Sequence, residues 1–176
     1  MIIVMAGLPA TGKTTLARAL AEHSAGTVLN KDEIREALFS AADIEYSTEQ
    51  DDVIQQVMLE VMEFILKKDP GRVVILDGRT FSRAYQIDRV LEVASKIQQP
   101  WRILECACSE ETARGRLADQ NHPAQNRDYD LYLRLQARFE PITLPKTVID
   151  TDQPLEDCIR QAIRGTLLSP SCGAKA

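Results

Sequence analysis

Residues 7–14 constrain this chain more than any other stretch. Gly7-Leu8-Pro9-Ala10-Thr11-Gly12-Lys13-Thr14 fits the spacing G-x-x-x-x-G-K-[ST]. It stands between an apolar run, Ile2–Ala6, and a helical pattern over 13–24 with Leu16, Ala17 and Leu20 on one side. Strand, glycine-bounded loop and helix, in that order, make a cradle for a phosphate chain. Glycines at 7 and 12 permit backbone angles that other residues resist, so successive N–H groups can turn inward. The helix adds unpaired N–H donors and the positive end of its dipole. Residues 7–15, ending at Thr15, are therefore expected to hold a nucleoside triphosphate. Lys13 would meet the outer phosphates, and the Thr14 hydroxyl would ligate Mg²⁺.

The rest of the chain continues the alternation. Short apolar runs at 27–29, 73–76, 102–108 and 146–149 read as strands. Helices are expected at 32–40, 52–68 and 110–119, over Ile87, Val90, Leu91, Ala94 and Ile97, and over Leu155, Cys158, Ile159, Ala162 and Ile163. Five strands alternating with helices, several of them apolar throughout, imply a five-stranded parallel sheet covered on both faces, an α/β/α sandwich. The length of 176 residues and the absence of repeats suit one domain, 1–168, followed by a flexible tail at 169–176. Ligands in such sheets gather at the carboxyl ends of the strands. That directs attention to 7–15, 30–35, 77–83 and whatever follows Cys108.

Charge and cysteine content narrow the partners. With 21 Lys and Arg against 26 Asp and Glu, the net charge of -5 argues against a surface built for duplex nucleic acid, though not against a local basic groove. No apolar run approaches the ~18 residues of a membrane span. The apolar start, 1–6, has no basic residue before it. Cys106, Cys108, Cys158 and Cys172 lack metal-ligand spacing. A cytoplasmic, membrane-free setting is expected.

Several residues near the strand ends have two readings. Asp77 closes an apolar strand, where phosphate-loop proteins place a Mg²⁺ carboxylate, but aspartate is also a common turn former. Asn30-Lys31-Asp32 superficially matches the guanine-reading Asn-Lys-x-Asp, yet Glu33 breaks it and it follows the first helix directly, so adenine is the expected base. Asp32 and Arg35, three apart, share a helical face. The carboxylate suits a hydroxyl's proton and the guanidinium suits an acceptor's phosphate or carboxylate. Asp32 is equally suited to cap a helix. Arg79 and Arg83 can line the acceptor side or remain solvated or paired with Asp88. Cys106 and Cys108 read as core, Tyr129, Tyr132 and Phe139 as packing, and His122 as an exposed loop residue.

Taken together, residues 7–15, 30–35 and 73–83 resemble the small phosphate-loop kinases, also labelled AAA-type ATPases. The set is most similar to the 5′-kinase domain of phage polynucleotide kinase. Gluconate, adenylylsulfate and chloramphenicol kinases and zeta toxins are more distant. The resemblance runs to about residue 165. It implies a P-loop NTPase fold with a small lid, ATP and Mg²⁺ as cofactors, Asp32 as general base, Arg35 as acceptor clamp and Asp77 at the metal. It also implies Arg116 as a lid arginine over the ATP phosphates. The family's second lid arginine falls on Gln120 here, leaving Arg114 or Arg127 as substitutes. The polar stretch 119–130 lies where such kinases carry the lid, with a plain solvated loop as the alternative. The function expected is an ATP- and Mg²⁺-dependent kinase acting on a small molecule's hydroxyl. A polynucleotide 5′-hydroxyl kinase and an acceptor-free nucleotide-binding ATPase or regulator are the alternatives, with nucleic acid the less favoured partner.

Overall fold

The computed structural model describes residues 1–118 and 128–168. Strands and helices alternate as β1 (Ile2–Ala6), α1 (Lys13–Ser24), β2 (Thr27–Asn30), α2 (Lys31–Leu38), α3 (Thr48–Lys68), β3 (Val74–Asp77), α4 (Ala84–Lys96), β4 (Trp101–Ala107), α5 (Glu110–Ala118), α6 (Tyr129–Ala137), β5 (Thr147–Asp150) and α7 (Leu155–Leu168). A single 3₁₀ turn, Ala41–Asp43, lies between α2 and α3. All five strands pair in parallel, in the order β2-β3-β1-β4-β5. The chain leaves β1 toward one edge and returns past it to the other, so β1 ends at a topological switch point.

Alternation along the buried strands builds the two outer layers. Ile2, Val4, Val74 and Leu76 pack with Ile54, Met58 and Met62 of α3 and Ile87 and Val90 of α4. Ile3, Met5 and Ile75 point the other way, toward Leu16 and Leu20 of α1 and Cys158 and Ala162 of α7. Each such side chain contributes roughly 1.5–3 kcal/mol on leaving water. The three-layer sandwich expected from the strand pattern is present.

Helix starts differ from the sequence reading for local reasons. α2 begins at Lys31, because Asn30 rather than Asp32 caps it. α3 begins at Thr48 because the Ser47 hydroxyl accepts from the Gln50 N–H, four residues before the apolar stripe suggested. α6 was not anticipated as a helix: it has nine residues and one buried side chain, Tyr132, too little for a stripe. The expected lid and tail fall largely outside the described residues. Of 119–130 only the last three are described, and there the Asp128 carboxylate caps α6 by accepting from the Leu131 N–H. Among the described residues no helix is long and apolar enough to cross a membrane.

Candidate active site

The loop after β1 is shaped by contacts that only glycine at 7 allows. Gly7 has φ +131°, and a Cβ there would lie 2.3 Å from the Cys106 carbonyl oxygen of β4. Its N–H donates to Thr80 O at 3.0 Å, tying the loop to the turn after β3. Gly12 caps α1 in the left-handed region, no side chain caps that helix, and its first turn holds no acid. Those first-turn amides thus present the positive dipole end with no carboxylate of the helix's own beside it. Lys13, only 8% exposed, folds back so that Nζ donates to Gly7 O (2.9 Å) and Leu8 O (2.6 Å). The Thr11 hydroxyl donates to Leu8 O at 2.8 Å. Thr14 is half-buried and Thr15 exposed. Gly7→Ala is expected to lower the thermal midpoint by roughly 5–15 °C, the effect of overpacking plus backbone strain in a chain of this size. Gly115→Ala, with nothing within 4 Å of the added carbon, is the matched control in a scanning calorimeter.

Strands β2 and β3 end side by side, Asn30 opposite Asp77. The Asn30 amide joins three elements. Its oxygen accepts from the N–H groups of Asp32 (2.9 Å) and Glu33 (3.1 Å), and its Nδ2 donates to Asp77 Oδ2 at 2.7 Å. Asp77 is fully buried, and its Oδ1 has no hydrogen-bond partner. A buried carboxylate with one unsatisfied oxygen suits a hard cation. Among the described residues no group of three or more His, Cys, Asp and Glu could hold a metal. Magnesium does not require one, because it commonly takes one or two protein oxygens and completes its shell with phosphates and water. Asp77 with the Thr14 hydroxyl fits that donor set.

Because Asn30 does the capping, the Asp32 carboxylate is turned to other partners. Arg35 Nη1 donates to Asp32 Oδ1 at 2.6 Å, and Lys31 Nζ stands 3.7 Å from the same oxygen. Arg35 is 1% exposed, lies over the Tyr46 ring at 5.0 Å and donates through Nη2 to Asp51. Asp51 also accepts from Lys31 Nζ at 2.8 Å. Arg79, 3% exposed, continues the network by donating to Asp51 O (2.9 Å) and Asp52 Oδ1 (2.6 Å). Arg83 pairs with Glu140 at 2.9 Å rather than with Asp88. Removing one carboxylate from a buried guanidinium typically costs about 3–5 kcal/mol, so the Arg35 and Arg79 pairs do not part readily, whereas the half-exposed Arg83 pair contributes little. Arg35, Arg79 and Arg83, read from sequence as substrate-binding residues, each pair with an acid of the chain itself.

On the opposite side, α5 brings Arg116 onto the loop. Its Nη1 donates to Ala10 O and to the Thr151 hydroxyl, both at 3.2 Å, and its Nη2 to Thr151 O at 2.7 Å. Thr151 in turn donates from its hydroxyl to Thr11 O at 3.0 Å. Arg114 points elsewhere, over the Tyr129 ring at 5.3 Å. Gln120, Arg127 and His122 lie outside the described residues. The Cys106 thiol is buried beside the loop and pushed up to about 12 by that burial, which suits a core residue. Cys108 falls just past β4 and packs apart from Cys106, beside Ala113, Leu117 and Tyr132. Sequence reasoning missed Asp51, Asp52 and Thr151, and weighed Asn30 only as a base-reading residue, not as the cap of α2. Thr151 was reachable, since the strand-end rule that marked the other segments applies equally to β5. Asp51 and Asp52 carried no signal, because acids in the first two turns of a helix are ordinary.

A family model described as an AAA domain matches residues 2–142 of the chain. No curated protein is significantly similar to it in sequence. Among solved structures, a sugar kinase from Janibacter sp. HTCC2649 superposes with TM-score 0.71 at 18% identity, covering 99% of this chain and 98% of that one. The APS kinase of Mycobacterium tuberculosis in complex with AMPPNP and APS gives 0.70 at 15% identity, over 94% and 96% of the two chains. Kti12 from Chaetomium thermophilum in complex with ADP-AlF3 gives 0.69 at 17%, over 94% and 98%. Likeness at these identities is a likeness of fold.

Proposed function

The chain belongs to the AAA-domain family matched across residues 2–142, and from that premise we propose that it is a kinase passing the γ-phosphoryl group of ATP to a hydroxyl of a small molecule. One observation carries the reading. Asn30 takes over the capping of α2, leaving the Asp32 carboxylate at a strand end, oriented by Arg35 at 2.6 Å. In an acceptor-free ATPase Asp32 would serve as the cap, and that duty is already filled. The named activities of the sugar kinase and the APS kinase with which the fold is shared add support.

The loop 7–15 would hold the triphosphate with the Lys13 ammonium and with backbone N–H groups other than that of Gly7, which donates to Thr80 O, Pro9 having none. Thr14 and Asp77 would hold magnesium, which when bound neutralises phosphate charge. Asp32 accepts the proton of the acceptor hydroxyl as its oxygen bonds to the γ-phosphorus. The bond from that phosphorus to the β,γ-bridging oxygen breaks, and ADP leaves. Arg35 keeps the Asp32 carboxylate in one orientation. Arg116, already against the loop at Ala10 O, adds positive charge beside the phosphates. Arg79 and Arg83 frame the acceptor side through their own carboxylate partners.

The test is transfer of label from [γ-³²P]ATP into a whole-cell metabolite extract. The expected result is an organic product that requires the enzyme and magnesium. Label appearing only as inorganic phosphate would make the protein an ATPase. End-labelling of oligonucleotides, weakening steeply across a salt series, would mark the polynucleotide alternative.

A further inference from the structure

On the kinase reading just proposed, the acceptor sits beside Asp32, flanked by α2, the first turns of α3 and the turn after β3. We infer that this acceptor is an uncharged hydroxyl compound, of the free sugar, polyol or nucleoside kind, bearing no phosphate, sulfate or carboxylate. Binding an oxyanion tightly requires guanidinium or ammonium N–H groups that can turn toward it, preferably as a fork. Among the described residues Lys31, Arg35, Arg79, Arg83 and Arg89 are the basic side chains of this region, and each is already paired. Arg35 spends one terminal nitrogen on Asp32 and the other on Asp51, while Lys31 donates to Asp51. Arg79 spends its terminal nitrogens on Asp51 O and Asp52. The Nε of Arg35 and of Arg79 is buried without a partner, and the N–H groups left over on their terminal nitrogens are closed off with it, the two side chains being 2% and 3% exposed.

Charge leads to the same conclusion. Around Asp32 itself two cations, Lys31 and Arg35, face two carboxylates, Asp32 and Asp51, at salt-bridge distance; farther out Arg79 and Arg89 share Asp52, and Arg83 meets Glu140. An anionic acceptor would add uncompensated negative charge beside the proton-accepting carboxylate, or would have to pull a guanidinium at most 3% exposed away from its acid. Arg83 is the weakest of these locks, since its side chain and that of Glu140 are 41% and 46% exposed. Yet Glu140 is also pinned by the Ala84 N–H at 2.7 Å and, through its own N–H, by Ser82 O at 2.9 Å. Its carboxyl is held below the usual range by the Ala84 N–H first and Arg83 second, so it stays charged at neutral pH. A hydroxyl compound brings no charge and donates directly to a carboxylate oxygen. The Asp32 and Arg35 pair, expected from sequence to divide base and phosphate clamp between them, acts here as one unit.

The experiment separates a metabolite extract on anion- and cation-exchange resins before the assay. Each fraction is then incubated with wild-type protein, magnesium and [γ-³²P]ATP. Product label from the fraction retained by neither resin should exceed that from the anion-exchange eluate at least tenfold. Label arising chiefly from that eluate, which holds nucleotides, sugar acids and oligonucleotides, overturns the inference and leaves the kinase reading standing. Label chiefly from the cation-exchange eluate overturns it equally. Label from no fraction overturns the kinase reading itself. Asp51→Asn removes the carboxylate shared by Lys31 and Arg35, and should raise labelling from the anion-exchange eluate several-fold relative to the neutral fraction. An unchanged ratio in a variant that still binds Mg-ATP excludes charge cancellation as the cause. The wild-type fractions decide the matter even where this variant does not fold.

Discussion

Asp32→Asn is expected to lower transfer by about 10²–10⁴-fold, the usual contribution of a positioned general base, while Mg-ATP still binds with wild-type heat. The substitution is close to isosteric. The asparagine oxygen can still accept from Arg35 Nη1, which sits 2.6 Å from Asp32 Oδ1, and α2 keeps its cap because Asn30 provides it. Fold and nucleotide site should therefore survive, and what disappears is the proton acceptor. Asp32→Ala is a poorer test, because it deprives a guanidinium that is 1% exposed of one of its two carboxylates. The measurement is kcat on the identified acceptor beside a calorimetric titration with Mg-ATP. Full turnover in the asparagine variant means that another group takes the proton.

Lys13→Ala should abolish transfer and remove the Mg-ATP binding heat. An ammonium about 4 Å from a phosphate charge contributes roughly 4 kcal/mol at an effective dielectric near 20, close to three orders of magnitude in affinity. Lys13 Nζ donates to Gly7 O and Leu8 O, so its loss also leaves those carbonyls without this donor and loosens the loop. Lys13→Met, which keeps the aliphatic stem, separates the two effects. If it binds Mg-ATP as weakly as the alanine variant, charge is the cause; if it recovers most of the affinity, packing is. Wild-type protein that gives no more heat than either variant leaves the loop without its assigned ligand.

The periodicity of this chain made its sheet readable. Runs such as Ile2–Ala6 and Val74–Asp77 are apolar at every position but the last of the second, and a strand of that kind can only be covered on both faces. The loop was readable for a related reason: its requirements are local, a glycine where the Cys106 carbonyl approaches and another where α1 starts. α6 was not readable, since a helix burying only Tyr132 leaves no repeating pattern. The start of α2 was misread by one residue, 32 for 31, because Asn30 and Asp32 are about equally good caps in isolation. What distinguishes them is Asp77, 47 residues away, which accepts from the Asn30 amide and fixes its orientation.

The same division holds for the site. Sequence alone determined that the chain would pair strands in parallel around a glycine-bounded loop and which residues would stand at the strand ends, because backbone conformation and side-chain alternation act over a few neighbouring positions. The tertiary structure alone decided what those residues face. Asp51 and Asp52 come from the first turns of α3 to meet Arg35 and Arg79, and Thr151 comes from the end of β5 to meet Arg116 and the loop. Electrostatic partnership depends on distance in space, and no spacing along the chain encodes which carboxylate will arrive beside which guanidinium.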